Sequence, residues 1–334
     1  MPDSLLNAAE HVVQPVLRKS RYFNGLPMAG AVLAAFVPIS ALPDRPQRHS
    51  AVLPIAYAPV PLLPLGPFRV AGAWQVKVMD RRAGGLSGLA IGGGRFVSVS
   101  DLGAVVAFDP PAREKPMADI ADLRDGPGNA GLKIGRDAEA LARDSQGRGW
   151  WVAYEQRHSL WLYDSALARA QATVPVHRPA WWDNRGIEGL VADGDGLLAF
   201  PENGREVIRI DHHGQRSLPL QSPMDVAEAA RATDGSIWLL LRSKSLKGID
   251  QAIAPLMADS VGYRVGPLQT LPKAAFDNYE GMAFASLPGG GWRIWLLTDD
   301  GHRFMARTLL VAIDWNNPPD RRHNKRPATS AGRL

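Results

Sequence analysis

The sequence predicts an all-β chain that folds as a β-propeller of about six four-stranded blades. Five segments of similar plan follow one another, each with a short apolar strand, a glycine-rich turn and further strands that close on aspartate. Their starts are 52, 49, 37 and 55 residues apart, a spacing typical of propeller blades with loops of different length. No amphipathic helical pattern separates the strands, which disfavours a parallel α/β sheet. The starts lie at Ser87, Glu139, Glu188, Asp225 and Glu280.

Each repeat has the residue types that strands and tight turns need. The turns contain glycine and aspartate, which adopt the positive φ of tight hairpins, as in Gly92–Gly94 and Asp193–Gly196. The strands are rich in valine, leucine, tryptophan and phenylalanine, as in Trp150–Tyr154. A further apolar stretch, Phe68–Val78, precedes the first repeat and is expected to contribute a sixth blade. Pairing of amino- and carboxy-terminal strands would close the ring and protect its edges.

The charge distribution gives no indication of nucleic-acid binding. The 334 residues include 38 lysines and arginines against 33 aspartates and glutamates, a net charge of +5. The excess lies at the two ends, because residues 68–314 contain 28 basic and 29 acidic side chains and carry a net charge of −1. The chain has no cysteine, which excludes disulfides, zinc–thiolate sites, iron–sulfur clusters and a cysteine nucleophile.

Composition divides the chain into five regions. Residues 1–21 form a basic leader, and the uncharged residues 22–43 are interpreted as an export signal or a membrane anchor, with a buried hairpin as the alternative. Residues 44–67 are predicted to be a proline-rich linker. Residues 68–314 form the propeller, and residues 315–334 a basic disordered tail. The positive leader places the propeller in the periplasm, free or anchored to the membrane, and we expect a monomer.

Acidic residues recur at equivalent positions of the repeats. The first strand of each propeller blade lines the central channel, so Glu139, Glu188 and Glu280, with Asp225 as a further candidate, should converge at one mouth of that channel. A second set follows the next strand of each repeat, where the fourth repeat has an arginine instead of an acid. This second set is Asp101, Glu155, Glu202, Arg242 and Asp299.

Carboxylates gathered on one axis repel each other unless a cation or raised pKa values relieve the repulsion. A set of oxygen ligands without histidine or cysteine favours a hard ion, Ca²⁺ first and Mg²⁺ or Mn²⁺ after it. Such an ion could polarise a phosphoryl or carbonyl oxygen and generate a nucleophilic water. Arg242 could meet a substrate anion or neutralise the acidic ring.

Several short motifs resemble the bacterial phytase-like domain family, which is described as having esterase-like activity. They cover residues 68–314 in the order seen in that family: Ser100-Asp101, Asp137-Ala-Glu-Ala-Leu141, Asn184-Arg-Gly-Ile-Glu-Gly-Leu190, Asn278-Tyr-Glu-Gly-Met282, and the stretch 299–310. The resemblance implies a propeller in an exported or membrane-anchored protein, ester hydrolysis and Ca²⁺. The matching polar positions are Ser100, Asp101, Glu139, Glu155, Glu188, Glu202, Glu280 and Asp299.

The chain departs from the family pattern at two of these motifs. Asp137-Ala-Glu-Ala140 stands where the family often has Asp-Pro-Glu-Gly, and Leu241-Arg242 stands where it often has Glu-Arg. The longer acidic motifs of the well-defined β-propeller phytases are absent, which argues against phytate as the substrate.

The sequence therefore leads to one main hypothesis and two alternatives. The main hypothesis is a Ca²⁺-dependent hydrolase of phosphate or carboxylate esters. In this hypothesis Glu139, Glu188 and Glu280 bind the metal. Asp101, Glu155, Glu202 and Asp299 complete the site or act as general base, and Arg242 orients the anion. The alternatives are a lactonase of the gluconolactonase type and a non-catalytic propeller that binds a ligand at the cell envelope.

Overall fold

The computed structural model describes residues 50–128, 133–177, 186–246, 248–273, 277–301 and 307–319. These residues form β-sheets and one short 3₁₀-helix, Arg81–Ala83. The strand pairs are antiparallel except for one parallel pair, Leu220–Gln221 with Tyr263–Arg264, which joins two blades into one sheet. The strands in chain order are β1 (Ser50–Pro54), β2 (Ala56–Pro59), β3 (Arg69–Lys77), β4 (Leu86–Gly92), β5 (Arg95–Ser100), β6 (Ala104–Phe108), β7 (Met117–Asp122), β8 (Ala138–Arg143), β9 (Trp150–Tyr154), β10 (Ser159–Tyr163), β11 (Ala170–Pro175), β12 (Ile187–Asp193), β13 (Gly196–Pro201), β14 (Glu206–Asp211), β15 (Gly214–Gln221), β16 (Asp225–Arg231), β17 (Ile237–Ser245), β18 (Gly248–Ala258), β19 (Tyr263–Val265), β20 (Gln269–Thr270), β21 (Tyr279–Ser286), β22 (Trp292–Thr298) and β23 (Leu309–Trp315).

The strands are arranged as the blades of a β-propeller, which confirms the predicted fold class. Blade one has the order β4-β5-β6-β7-β1, and blade two has the order β8-β9-β10-β11. Blade three is β12-β13-β14-β15, and blade four is β16-β17-β18-β19, with β20 also paired to β18. Blade five is β21-β22-β23-β3-β2. The inner strands β4, β8, β12, β16 and β21 contact one another in sequence, and β21 returns to β4, which closes the ring.

The described residues form five blades, where the sequence predicted about six. The difference lies in the stretch Phe68–Val78, which does not begin a blade of its own. It forms β3, which pairs with β23 at Trp74 and Leu310 and adds an amino-terminal strand to the carboxy-terminal blade. The predicted closure of the ring by terminal strands is therefore present, and it uses the residues that the sequence analysis had counted as a sixth blade.

Part of the stretch 44–67, predicted to be a linker, is β-strand. β1 pairs with β7 at the outer edge of blade one, and β2 pairs with β3 at the outer edge of blade five. Pro54 and Pro59 end these two strands, where an edge position tolerates the missing backbone amide. Ile55, between the two strands, is buried in the core. The proline content therefore reflects edge strands rather than a free linker over Ser50–Pro59.

The terminal regions are described only in part. The predicted leader and the apolar segment 22–43 lie outside the described residues, as does the tail from residue 320. Within the described ranges, no helix has the length and apolarity needed to cross a membrane. Trp315, which the sequence analysis assigned to the tail, is instead the last residue of β23 and is 5% exposed.

An aromatic cluster holds blades four and five together. The ring of Trp315 makes edge-on contacts with Phe68, Trp238 and Trp292, with ring centroids 5.2, 5.5 and 6.1 Å apart. Trp238 belongs to blade four, and the other three residues belong to or directly precede strands of blade five. Edge-to-face pairs of this kind add to the gain from apolar burial.

Replacement of Trp315 by alanine should therefore destabilise the propeller. We expect Trp315→Ala to lower the free energy of unfolding by about 3–5 kcal/mol, because it leaves a cavity between two blades. The matched control is Leu63→Ala at a side chain that is 84% exposed, where the change should stay within about 0.5 kcal/mol. Urea denaturation followed by tryptophan fluorescence measures both, and equal effects of the two variants would contradict the packing described.

Candidate active site

Three of the five inner strands present a glutamate at one end of the channel because they share the same local irregularity. In β8, β12 and β21 the pairing with the next strand skips one residue, and the skipped residues are Glu139, Glu188 and Glu280. A bulge of this kind re-aims the side chain of the extra residue. The repeated glutamates therefore owe their common orientation to a β-bulge near the start of each inner strand.

Glycine follows two of these glutamates because the inner strands approach one another closely. A Cβ at Gly189 would lie 2.8 Å from the backbone nitrogen of Ala229, and a Cβ at Gly281 would lie 2.9 Å from the Cβ of Leu89. Real Cβ atoms essentially never approach other heavy atoms within 3.0 Å, so these two positions need glycine. The Glu-Gly pairs of the sequence thus combine a channel-facing acid with a close contact between blades.

Blade four departs from this pattern. Its skipped residue is Ala227, and the acid comes one residue later, at Glu228. Glu228 is 2% exposed, and its Oε1 accepts a hydrogen bond from the Ala229 amide at 2.7 Å. Asp225, the sequence candidate in this repeat, is exposed at the start of β16. Sequence reasoning missed Glu228 because the shift by one residue removes the Glu-Gly signature.

The second acidic set lies beside the first, held by equivalent backbone bonds. The amide of Asp101 donates to the Gly85 carbonyl at 2.9 Å, and the amide of Glu155 donates to the Asp137 carbonyl at 2.9 Å. In each case the acceptor lies two residues before the channel-facing residue of the inner strand. The matching bonds of the third and fifth blades join Glu202 to Gly186 at 3.3 Å and Asp299 to Asn278 at 3.1 Å.

On one side of the channel Arg242 binds three carboxylates, which we call the arginine cluster. Its guanidinium lies 2.9 Å from Glu202 Oε1 and 3.4 Å from Glu188 Oε2, and it also donates to Glu280 Oε1. The Arg242 side chain is only 4% exposed, and Lys244 adds a second cation 3.3 Å from Glu202. Of the two roles that the sequence allows for Arg242, these contacts support neutralisation of the ring.

On the other side lies an acidic triad formed by Asp101, Asp137 and Glu139. One carboxylate oxygen of each residue lies within 4.8 Å of those of the other two, and all three residues are buried. The Lys133 ammonium approaches two of them, at 2.6 Å from Asp101 Oδ2 and 3.1 Å from Asp137 Oδ2. Asp137 belongs to a motif seen in the sequence, but neither acidic repeat includes it, because it comes from the loop before β8.

Burial raises the pKa of most of these carboxyl groups. It is the largest cause of the raised pKa of Glu139, Glu188 and Asp299, and neighbouring carboxylates add to it in all three. It also raises the pKa of Asp101 above its ordinary value, although Lys133 opposes it there.

The pKa values of the other carboxyl groups in the channel depend on which charges lie beside them. Burial, followed by repulsion from Glu139, raises the pKa of Glu155 to about 7. Burial and the charges of Glu139 and Asp101 raise the pKa of Asp137 to about 12. Burial acts in the same direction on Glu202, but Arg242 and Lys244 outweigh it and lower its pKa. The channel thus holds both protonated and ionised carboxyl groups at neutral pH.

The structure therefore brings all eight predicted site residues to one end of the channel, where most of them belong to two clusters with different counter-ions, Arg242 and Lys133. Glu188, Glu202 and Glu280 lie in the arginine cluster. Of the three predicted metal ligands, only Glu139 belongs to the triad whose oxygens converge. Glu155 and Asp299 lie close enough to Glu139 for its charge to affect their pKa.

The residues of the acidic triad suit a hard divalent cation. All the donors are carboxylate oxygens, which Ca²⁺ and Mg²⁺ prefer. Asp137 is fully buried, and its Oδ1 receives no hydrogen bond from the described residues. A buried anionic oxygen without a donor is costly unless a cation or a proton satisfies it. The arginine cluster does not suit such an ion, because the guanidinium already occupies its centre.

The opposite end of the channel has a different character. A cavity of about 640 Å³ lies between the later halves of all five inner strands. Apolar side chains of all five strands line it together with polar residues at the strand ends, Arg143, Asp144, Ser145, Asp193 and Arg231. The Arg143 guanidinium lies 4.8 Å from the ring centre of Trp150. The two acids at this end, Asp144 and Asp193, are paired with Arg148 and Arg209.

Comparison with solved structures gives similarities at low sequence identity. Among solved structures, glutaminyl cyclase from Myxococcus xanthus is similar with a TM-score of 0.45 and 14% identity, over 74% of this chain and 96% of that one. Hydrazine synthase from Kuenenia stuttgartiensis is similar with a TM-score of 0.37 and 12% identity, over 64% of this chain and 56% of that one. No curated protein matches the sequence.

The family match covers the part of the chain that builds the acidic channel. Residues 81–302 match the model of the Phytase-like family, described as "Esterase-like activity of phytase". This range contains both acidic sets, Lys133 and Arg242. The chain belongs to the Phytase-like family.

Proposed function

We propose that the protein is a hydrolase of phosphate or other esters that uses a divalent cation, with Ca²⁺ as the first candidate. One observation carries the proposal: three buried carboxylate oxygens, from Asp101, Asp137 and Glu139, converge within 4.8 Å on the channel of a Phytase-like propeller. Such a set binds hard cations, and a cation at this position faces the channel, where a small ester could enter.

Asp101, Asp137 and Glu139 would hold the ion, in place of the set Glu139, Glu188 and Glu280 expected from the sequence. When bound, the ion would polarise the ester oxygen and lower the pKa of an attacking water. Arg242 pairs with Glu188, Glu202 and Glu280 and fixes these side chains beside this site.

Glu155 is the residue of this chain best suited to take a proton from the attacking water. A general base works best when its pKa lies near the working pH, and the pKa of Glu155 is raised to about 7. The residue is buried, with 8% of its surface exposed. Glu202 is less suited to this role, because two cations lower its pKa.

The location of the protein is part of the proposal. A basic leader followed by the uncharged residues 22–43 supports a periplasmic propeller, free or anchored, that acts on a small molecule as a monomer. A lactone and a phosphate ester both present an oxygen that a cation can polarise, so the substrate assay has to include both.

The first prediction concerns metal binding by the full chain after chelation. We expect Ca²⁺ to bind at one site and to raise the free energy of unfolding by about 2.7 kcal/mol at a hundredfold excess over the dissociation constant. Glu139→Gln should weaken binding by more than the 10- to 100-fold typical of losing an outer-shell partner, because it removes a ligand. Isothermal titration calorimetry measures both.

The control for this prediction is Asp195→Asn, which changes a half-exposed carboxylate in the turn between β12 and β13, at the end of the channel opposite the triad. Its affinity for Ca²⁺ should equal that of the unmodified protein. If the unmodified protein does not bind Ca²⁺, or if Glu139→Gln binds it with the same affinity, the proposed metal site is wrong.

The second prediction concerns turnover. With Ca²⁺ bound, the protein should hydrolyse at least one of 4-nitrophenyl phosphate, 4-nitrophenyl acetate and a δ-lactone. Glu155→Gln should lower kcat by about 10²- to 10⁴-fold, because it removes the general base, and should keep the metal affinity within a few-fold. Turnover of none of the three by a metal-loaded protein would contradict the hydrolase and favour the binding propeller.

The third prediction concerns stability in a chelator. We expect the free energy of unfolding to fall as the pH rises from about 5 to about 8. Folded Glu155 keeps its proton up to about pH 7, whereas an unfolded glutamate loses it near pH ~4.3. Between these values the folded state binds more protons, so stability falls with rising pH, by about 3 kcal/mol for this group.

Asp137 and Glu139, which face Glu155, also have raised pKa values and act in the same direction. Glu202, which has a lowered pKa, is ionised in both the folded and the unfolded state above about pH 5 and adds no slope here. Lys133 stays charged throughout this range. Urea denaturation at stepped pH in EDTA measures the slope for the unmodified protein and for Glu155→Gln. A slope that Glu155→Gln leaves unchanged would show that this carboxyl does not hold its proton.

A further inference from the structure

Lys133 is a cation of the chain at the point where the proposed metal site would hold its ion. Its Nζ lies 2.6 Å from Asp101 Oδ2 and 3.1 Å from Asp137 Oδ2, two of the three oxygens that converge in the triad. Oxygens on opposite sides of a Ca²⁺ ion, at 2.3–2.6 Å each, lie roughly 5 Å apart. The triad oxygens lie within 4.8 Å of one another, so the same pocket suits an ammonium or a metal ion.

The two cations cannot share this pocket. A divalent ion bound to Asp101 and Asp137 would lie within a few ångströms of the ammonium, where two positive charges repel strongly in a buried setting. They would also compete for the same oxygen atoms. Binding of the ion therefore requires the Lys133 side chain to leave.

Backbone hydrogen bonds hold the chain near Lys133 in place, whereas the Lys133 side chain is partly exposed to solvent. The Lys133 carbonyl accepts a hydrogen bond from the Arg136 amide at 3.1 Å, and the Gly135 amide donates to Gln156 Oε1 at 2.8 Å. The Arg136 guanidinium donates to the carbonyls of Pro127, Gly126 and Leu123. The side chain of Lys133 is nevertheless 40% exposed. Its flexible stem can swing into solvent without movement of the backbone.

We propose that Lys133 is an internal counter-ion that fills the acidic triad when no metal is present and is displaced when a divalent ion binds. The proposal rests on the proposed function, because it takes the triad as the metal site. It adds a regulatory consequence: the concentration at which the site takes up its ion is set by competition with a lysine of the same chain. Arg242, which is buried and bound to three carboxylates, has no such freedom.

The size of the effect follows from the occupancy of the pocket. If Lys133 occupies the triad nine times in ten, the apparent dissociation constant of the metal is about tenfold weaker than that of the open site. Lys133→Met keeps the apolar stem and removes the charge. It should therefore tighten Ca²⁺ binding by at least about tenfold, and in a chelator it should lower the melting temperature, because the buried carboxylates lose their cation.

The test compares Ca²⁺ titrations of the full-length unmodified protein, Lys133→Met and Lys133→Arg by calorimetry. Lys133→Arg keeps the charge and should not tighten binding. The matched control is Lys244→Met, because Lys244 is also a partly exposed ammonium on a channel carboxylate but contacts Glu202 outside the triad. Its affinity for Ca²⁺ should stay within about twofold of the unmodified protein.

A second measurement needs no variant. Amine acetylation of the unmodified protein, read by mass spectrometry, should label Lys133 at least several-fold faster in saturating Ca²⁺ than in chelator, because the displaced ammonium becomes accessible. Labelling of Lys244 should not change. This readout remains valid if Lys133→Met fails to fold.

The outcomes separate this inference from the proposed function. Equal affinity of the unmodified protein and Lys133→Met, or Lys133 labelling that Ca²⁺ leaves unchanged, overturns the displacement and leaves the metal site intact. No binding by either protein overturns the metal site and the displacement with it. Tighter binding by Lys133→Met alone, together with faster labelling of Lys133, supports the proposal.

Discussion

The constraint on which the site depends is the repulsion among carboxyl groups that a closed ring of blades brings onto one axis. Nine of them gather among the described residues, against three cations, Lys133, Lys244 and Arg242. Burial makes this repulsion stronger than it would be in water. The nine acids are Asp101, Asp137, Glu139, Glu155, Glu188, Glu202, Glu228, Glu280 and Asp299.

The chain relieves this repulsion differently on the two sides of the channel, and one residue makes the difference. At the end of the second strand, four blades have an acid and blade four has Arg242. A guanidinium keeps its charge and holds several carboxylates in fixed geometry, so the side around Glu188, Glu202 and Glu280 is permanently satisfied. The side around Asp137 and Glu139 depends on a mobile lysine and on protons, which is what leaves it able to accept an ion.

The repeat predicted most of the site, because equal register places equivalent residues at the same height in the channel. The repeat did not predict site residues at which the strand register changes or which come from a loop. Glu228 is displaced by one residue in its bulge, and Asp137 and Lys133 come from the loop before β8, which no strand pattern describes. The predicted number of blades was wrong for a related reason. Phe68–Val78 looks like any other strand in sequence, and only its pairing with β23 assigns it to blade five.

The raised pKa values and the proposed ion are two answers to the same electrostatic problem. Protons satisfy the buried carboxyl groups at low pH, and a divalent ion satisfies them at higher pH, when the protons leave. Burying these acids costs free energy. The folded chain tolerates that cost because the pairing of β3 with β23 and the aromatic packing around Trp315 stabilise the ring independently of the channel. Once the protons have left, the channel can therefore keep an excess of negative charge, and that excess is the source of its affinity for a cation.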